Sequence, residues 1–402
     1  MIDDVRPSYR ALLGIPGLPR LVVSMALARI GGQMLSLVLV LFALDRYDSA
    51  AIAGLVTFLA VAPGLVASPV AGALLDRHGR TRLVVLDYLI GATSLFLIAG
   101  LAYADALPVP ALLAIVTVTS LTNPLSNAGV RTLFPVLVPP PLWERANAID
   151  SNGYVVASII GPALAGLIVA TLGAPAALLA IGAIFLAAAA AAAGVRDPSP
   201  RTEERALLPE AWRGLLYVLR NPSLRALALG VSLANVGWGL FFIALPVLVL
   251  ERLGGDAAYV GTLFALLGLT GSVAVLVMGR ISTAGRGHAF LALAMLGQAA
   301  AFGVALLSNG NPLVVAGAML LLGIATGPFD VTLFTVRQRR TDPAWMGRAF
   351  AVSMALNFAG FPLGSALGGA IVPMSIELAI AIAVVATLSG AAVSFFLLPR
   401  ED

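Results

Sequence analysis

About a dozen apolar stretches, each near the ~20 residues that a bilayer-spanning helix needs, divide this 402-residue chain. Every basic side chain other than two histidines is arginine, and the arginines are sorted by side. Numbering the gaps between stretches from the N-terminus, and counting residues at span ends with the gap they adjoin, one alternate set holds every arginine except Arg29, Arg46 and Arg252. Cytoplasmic loops retain arginine because its translocation is unfavourable, so the crowded side is read as the inside. The expectation is an all-α membrane protein: twelve transmembrane helices with both termini in the cytosol. The predicted spans are 18–44, 51–75, 83–104, 109–134, 146–172, 174–194, 224–250, 258–280, 288–307, 313–337, 348–373 and 377–398.

Composition narrows the class further. A chain that is 60% hydrophobic and 11% charged has more apolar surface than its own interior can cover, and lipid must solvate the rest. Continuous apolar runs, rather than alternating ones, favour helices over a barrel. The first run is too long for a signal-peptide core, so it is expected to be a retained span. With no lysine there is no P-loop Gly-Lys-Ser/Thr, hence no ATP hydrolysis by that route. With no cysteine, and with His78 and His288 in or beside predicted cytosolic loops, thiolate and clustered-imidazole metal sites are excluded. No cofactor is expected, and a net charge of +4 offers little to nucleic acid.

Between the halves lies the longest polar segment. It sets the expected domains: an N-terminal six-helix bundle (1–194), a cytoplasmic linker (195–223) and a C-terminal six-helix bundle (224–402). Within the linker, Leu208, Trp212, Leu215, Leu216 and Leu219 recur at helical spacing among Glu210, Arg213 and Arg220, as in an amphipathic helix on the inner leaflet. The halves also repeat. At an offset of 203 residues, Arg145-Ala146-Asn147-Ala148 aligns with Arg348-Ala349-Phe350-Ala351, and Gly161 to Gly166 with Gly364 to Gly369. Two bundles related by a pseudo-two-fold axis along the membrane normal follow, with a cavity between them.

The loop after span two reads Gly72-Ala73-Leu74-Leu75-Asp76-Arg77-His78-Gly79-Arg80-Thr81-Arg82. It resembles the loop signature of the major facilitator superfamily. Gly72 and Gly79 suit close packing and a tight turn. Asp76 is placed to accept bonds from arginines and from a helix N-terminus of the opposite bundle, a latch stronger in one conformation than another. The corresponding loop from Gly279 to His288 has Ser282 or Thr283 where the aspartate would stand, so a symmetric gate is not expected. Asp87, Arg131, Arg145 and Asp150 lie near the same predicted surface and are expected to join a charge network with Asp76, Arg77 and Arg80.

Further segments carry the resemblance to the drug-efflux branch of that superfamily, which includes macrolide, tetracycline and siderophore exporters. They are Arg131 to Pro135, Val138-Pro139-Pro140, Ala146-Asn147-Ala148, Gly327-Pro328, Gln338, Gly347-Arg348 and Pro362-Leu363-Gly364. Gly161-Pro162 with Ala165-Gly166 is similar to the fifth-helix signature associated with antiporters; Ala148 and Ala157 stand where that pattern often has glycine. On the residues alone, Gly161, Pro162, Gly166, Gly364, Gly368 and Gly369 form a helix-packing motif, because small residues let backbones approach.

Polar residues inside spans call for a reason, since a charge at a helix centre costs roughly 2.5–3.5 kcal/mol by insertion scales. Arg29 lies within span one, followed by Gln33 and Ser36 on one stripe. Asp330 lies in span ten beyond Gly327-Pro328. By depth, Arg29 and Asp330 are both nearer the inner leaflet and within reach of each other across the cavity, and Asp330 is expected to carry or sense a coupling proton. Thr119, Asn123, Asn127 and Arg131 make one polar face of span four. Asn235 and Trp238 in span seven, with Ser353 and Asn357 in span eleven, complete the expected substrate and proton path. The resemblance implies a monomeric secondary transporter in the cell membrane, exporting amphipathic or hydrophobic small molecules such as drugs in exchange for protons. A dedicated importer or a lipid or siderophore exporter is the alternative within transport. A channel fits less well, because two repeats with a one-sided latch imply alternating access. An enzyme would need clustered acids or metal ligands in the spans.

Overall fold

The computed structural model describes residues 8–197, 207–342 and 346–400; the side chains of residues 73, 76, 134, 135, 140, 144, 147, 148, 151, 207–211 and 346–351 are outside that description. The latch expected of the Asp76 carboxylate, and the Asn147 and Arg348 side chains, therefore lie outside the described residues. Among the described residues the chain is helical and forms no strand. A short α1 (Tyr9–Leu13) leads into α2 (Leu18–Tyr47), α3 (Ala50–His78), α4 (Arg80–Tyr103), α5 (Val109–Leu137), α6 (Trp143–Leu172) and α7 (Ala174–Ala193). The second half runs through α8 (Leu207–Arg220), α9 (Pro222–Val247), α10 (Ala257–Met278), α11 (Gly287–Leu306), α12 (Pro312–Arg339), α13 (Met346–Phe358), α14 (Gly360–Ile371) and α15 (Ile376–Leu397). Twelve of the helical stretches are long and apolar enough to cross a membrane, and they fall on the twelve predicted spans.

Helix starts in the second half follow from single residues. Asn221 and Asn311 each accept a backbone N–H of the next turn, with proline at the first helical position, where its missing donor costs nothing. Asp256 and Ser375 cap α10 and α15 in the same way, at 2.9 and 3.0 Å. The predicted eleventh span is broken in two, with α13 ending at Phe358 and α14 starting at Gly360. Pro362 lacks the N–H that would reach Phe358, and its ring crowds that carbonyl, so the helix ends there.

The 203-residue offset runs through the whole fold. Adding 203 to α5 (109–137) gives 312–340, against Pro312–Arg339 for α12; adding it to α7 (174–193) gives 377–396, against Ile376–Leu397 for α15. The contacts repeat as well. A Cβ on Gly161 would stand 2.6 Å from Gln33 Cβ, and one on Gly364 would stand 2.8 Å from Val236 Cα and closer still to its carbonyl oxygen. Both members of the second pair are the first shifted by 203.

The chain divides into two compact units, 1–38 with 63–207 and 39–62 with 208–402. In the first, Ala157, Gly161 and Ala165 form a buried small-residue stripe on α6, which packs on α2 at Gly161. In the second, the stripe is Gly360, Gly364 and Gly368 on α14, set against Ser232, Val236 and Leu240 of α9 at the same four-residue step. Gly369 turns to the other neighbour: its Cβ would lie 2.9 Å from the Gly54 Cα of α3. Gly166 is buried on α6. Gly364→Val is expected to separate α14 from α9, because the opposing atoms are backbone and cannot rotate away. The readout is the yield of monodisperse protein in detergent, which should fall several-fold. Gly72→Ala is the control, since no atom lies within 4 Å of a Cβ there. A Gly364→Val chain as stable as the control would contradict this packing.

The amphipathic segment is a helix, α8, with residues of the expected leaflet-facing stripe, Trp212 and Leu219, exposed and a different side packed on protein. Val218 is fully buried in a core with Leu224, Leu227 and Leu398, while Trp212 is 59% exposed. The Tyr217 hydroxyl accepts the Asp342 backbone N–H at 3.0 Å. The helix thus docks on the second unit through Tyr217 and Val218, because the short link at Asn221 holds its C-terminal turn against α9.

Candidate functional site

In the second unit, α9, α10, α11 and α12 enclose a cavity of about 180 Å³. Asn235 and Trp238 face it from α9, Leu267 from α10, Gln298 from α11, and Thr326, Phe329 and Asp330 from α12. Asp330 is half-buried, and among the described residues its carboxylate has neither a hydrogen-bond nor an ion-pair partner. The Asn235 amide donates to the Asn357 carbonyl at 2.9 Å, and the Thr326 hydroxyl to the Leu322 carbonyl at 2.8 Å. Trp238 is wedged among Phe241, Phe242, Phe264 and Phe302, with ring centroids 6.3–6.5 Å away, which fixes its indole. The structure thus brings Asn235, Trp238 and Asp330 to one opening and adds Gln298, which sequence reasoning missed. One amide on an otherwise apolar helix carries no periodic signal; only the packing of α11 on α12 turns it toward the aspartate.

The first unit answers the question of Arg29 differently from the expectation. Arg29 Nη1 donates to the Asp150 carbonyl at 2.7 Å, and Nη2 pairs with the Asp150 carboxylate. The guanidinium lies 3.8 Å over the centre of the Tyr154 ring, whose hydroxyl accepts from Arg131 at 2.6 Å. Arg29 is held by a neighbour in its own unit because α6 brings a carboxylate and an aromatic face to its depth, one helical turn apart. Of the expected charge network, Asp150 makes no direct ion pair with Arg131 or Arg145 among the described residues, and Arg131 reaches it through Tyr154 and Arg29. Asp87 is buried facing the hydroxyls of Thr122 and Ser126 rather than an arginine.

A corresponding cradle exists in the second unit. Positions 150 and 154 shifted by 203 are Ser353 and Asn357. Arg337, 0% exposed, donates from Nε to the Ser353 hydroxyl at 3.2 Å. With the Asn357 amide turned to suit its surroundings, its oxygen accepts from the same guanidinium. Each half therefore seats an arginine at equivalent positions of span five and span eleven, delivered from span one in one case and span ten in the other. Tyr154 and Arg337 were not among the expected site residues; 337 less 203 is Phe134 and 154 plus 203 is Asn357, so the repeat relates the positions of the two cradles but not the residues that fill them.

Span four keeps its polar stripe. Asn123, Asn127 and Arg131 are exposed on one face of α5, and the Asn127 amide donates to the Asn123 side chain. Gln33 lies half-buried on α2, where its stem meets Gly161. At the loop after span two, Gly79 has φ of 91°, a conformation that glycine adopts without strain and that makes the tight turn. The Arg80 backbone N–H, first in α4, donates to the Asp197 carboxylate at 2.7 Å. An acid at this helix N-terminus is favourable, and it comes from the segment that follows α7 in the same unit. Among the described residues no atom approaches where a Cβ on Gly72 would stand, so the close packing expected there is not formed. Arg77 is exposed and Arg145 half-exposed.

Twelve membrane-length helices in two repeated halves, with charges seated inside them, define a multi-pass membrane protein. A model of the Major Facilitator Superfamily matches residues 21–365 and 227–402, and the chain belongs to that superfamily of transporters. An uncharacterized MFS-type transporter, y4rN of Sinorhizobium fredii, is 39% identical over 92% of both chains. The multidrug efflux pump Tap of Mycolicibacterium fortuitum is 26% identical over 81% of this chain and 82% of its own. The enterobactin exporter EntS of Escherichia coli is 28% identical over 75% and 72%. Among solved structures, the nucleoside transporter NupG superposes with a TM-score of 0.78 at 12% identity, covering 95% of this chain and 99% of its own, a likeness of fold.

Proposed function

We propose that this transporter exports amphipathic or hydrophobic small molecules in exchange for protons, by alternating access and without ATP. The observation that carries the coupling is the Asp330 carboxylate, which faces a cavity inside the helices with no partner among the described residues. A carboxylate kept in a span without a neutralising group is costly unless it takes up and releases a cation during the cycle. The direction of transport is supported by the relatives, one described as a multidrug efflux pump and one as an enterobactin exporter. The second of these favours one alternative in particular, a dedicated siderophore exporter, over an importer or a channel. In this reading the chain works as a monomer in the cell membrane with both termini in the cytosol, and its partners are the substrate, protons and lipid.

The test is efflux of fluorescent dyes and of a siderophore panel from proteoliposomes with an imposed pH gradient. Saturable, gradient-dependent export of dyes supports the reading. Export confined to siderophores would replace it with the dedicated function, and non-saturable flux indifferent to the gradient would point to a channel.

A further inference from the structure

The cavity beside Asp330 has a chemistry that the export of amphipathic molecules does not use. Asp330 is the sole titratable side chain among the described residues lining it from α9, α10, α11 and α12. The polar side chains around it hold oxygens that accept no hydrogen bond among the described residues. One amide hydrogen of Asn235 is committed to the Asn357 carbonyl, and the Thr326 hydroxyl hydrogen to the Leu322 carbonyl. Both side chains keep oxygen lone pairs in reserve. Gln298 has no partner among the described residues, so its amide oxygen is free to turn inward. One negative charge surrounded by neutral oxygen acceptors is a donor set for a hard cation.

Size and charge then choose among cations. At about 180 Å³ the cavity falls below the ~300 Å³ at which small-molecule pockets begin. It still has room for an ion with a few waters, each about 30 Å³ of liquid. Calcium would want roughly six to eight oxygens and more than one carboxylate, and would leave a net positive charge among apolar helices. A monovalent ion is neutralised by one aspartate. The repeat marks the feature as particular to this half. Positions 326 and 330 less 203 are Asn123 and Asn127, and there the Asn127 amide is closed on Asn123, with no charge left to satisfy.

We propose that the cavity formed by Asp330, Gln298, Asn235 and Thr326 binds an alkali cation of sodium's size, which shares the carboxylate with the proton. Binding stands on the cavity alone; its use as a second coupling ion rests on the transport cycle proposed above.

The test uses the full chain in lipid nanodiscs, with Trp143, Trp212 and Trp345 changed to phenylalanine so that Trp238 reports from the cavity wall. Sodium chloride is titrated against choline chloride at constant ionic strength and neutral pH. A saturable emission change with sodium and none with choline is expected, abolished by Asp330→Asn and weakened about tenfold by Gln298→Leu, which keeps the side-chain bulk. A flat sodium titration overturns the proposal, as does one that both substitutions leave unchanged. Calorimetric titration of sodium into the unaltered protein decides the matter in the same way if the tryptophan-reduced chain does not fold. The two readings fail separately: proton-driven export with a flat sodium titration removes the cation site alone. A sodium-saturable signal in a protein that exports nothing upholds the site and removes the export cycle.

Discussion

Asp330→Asn is expected to hold substrate at equal concentration across the membrane where the unaltered protein builds a gradient. One pH unit is worth about 1.4 kcal/mol per proton, so one-for-one exchange sustains a substrate ratio of about ten. Asparagine preserves the size of the side chain and its contacts in the cavity, yet it neither binds nor releases a proton. Downhill counterflow of labelled substrate should continue, because that process needs the substrate site and the conformational cycle but no net proton movement. The separation between lost accumulation and retained counterflow marks coupling as distinct from folding. A ratio near ten in the Asp330→Asn protein would show that another group carries the proton. Loss of both activities with a normally folded chain would place Asp330 in the substrate path instead.

Asp150→Ala is expected to be the most destabilising change in the first unit. Arg29 is 12% exposed and relies on the Asp150 carboxylate and carbonyl together with the Tyr154 ring. Removing one partner of a buried pair strands the other charge, at a cost of about 3–5 kcal/mol. The double change Arg29→Met with Asp150→Leu removes both charges and should recover most of that loss, since methionine fills much of the arginine stem's space. Thermal unfolding followed by size-exclusion chromatography measures both. Equal destabilisation of the single and double variants would mean that the ion pair is not what holds α2 to α6. The double variant also asks a functional question, because a chain that is stable but inactive would place Arg29 in the transport cycle.

Much of this architecture is legible in the amino-acid sequence. Span positions follow from apolar length, and the two-fold repeat from an offset visible at Arg145 and Gly161. The structure carries the same offset from Gln33 on Gly161 to Val236 on Gly364. Small residues at four-residue spacing had one use in a packed membrane helix, and they serve it on α6 and α14. Partner choice was not legible. Depth along a helix suggested that Arg29 and Asp330 are neighbours, but depth leaves rotation about the helix axis open, and Asp150 and Tyr154 were one helix away on the correct side. Gln298 and Asp197 were invisible for a related reason: each is a lone polar residue whose meaning depends on what a distant segment brings to it.

By itself the sequence determined that this chain lives in lipid, how often it crosses, and that its second half repeats its first. These are properties of apolar length, charge asymmetry and local spacing, all carried by residues close together in the chain. Which charges are neutralised and which is left facing a cavity was decided only by tertiary packing. Helix rotation and the crossings at Gly161 and Gly364 set those distances. That is why Asp150 is spent on Arg29 while Asp330 remains available to an ion.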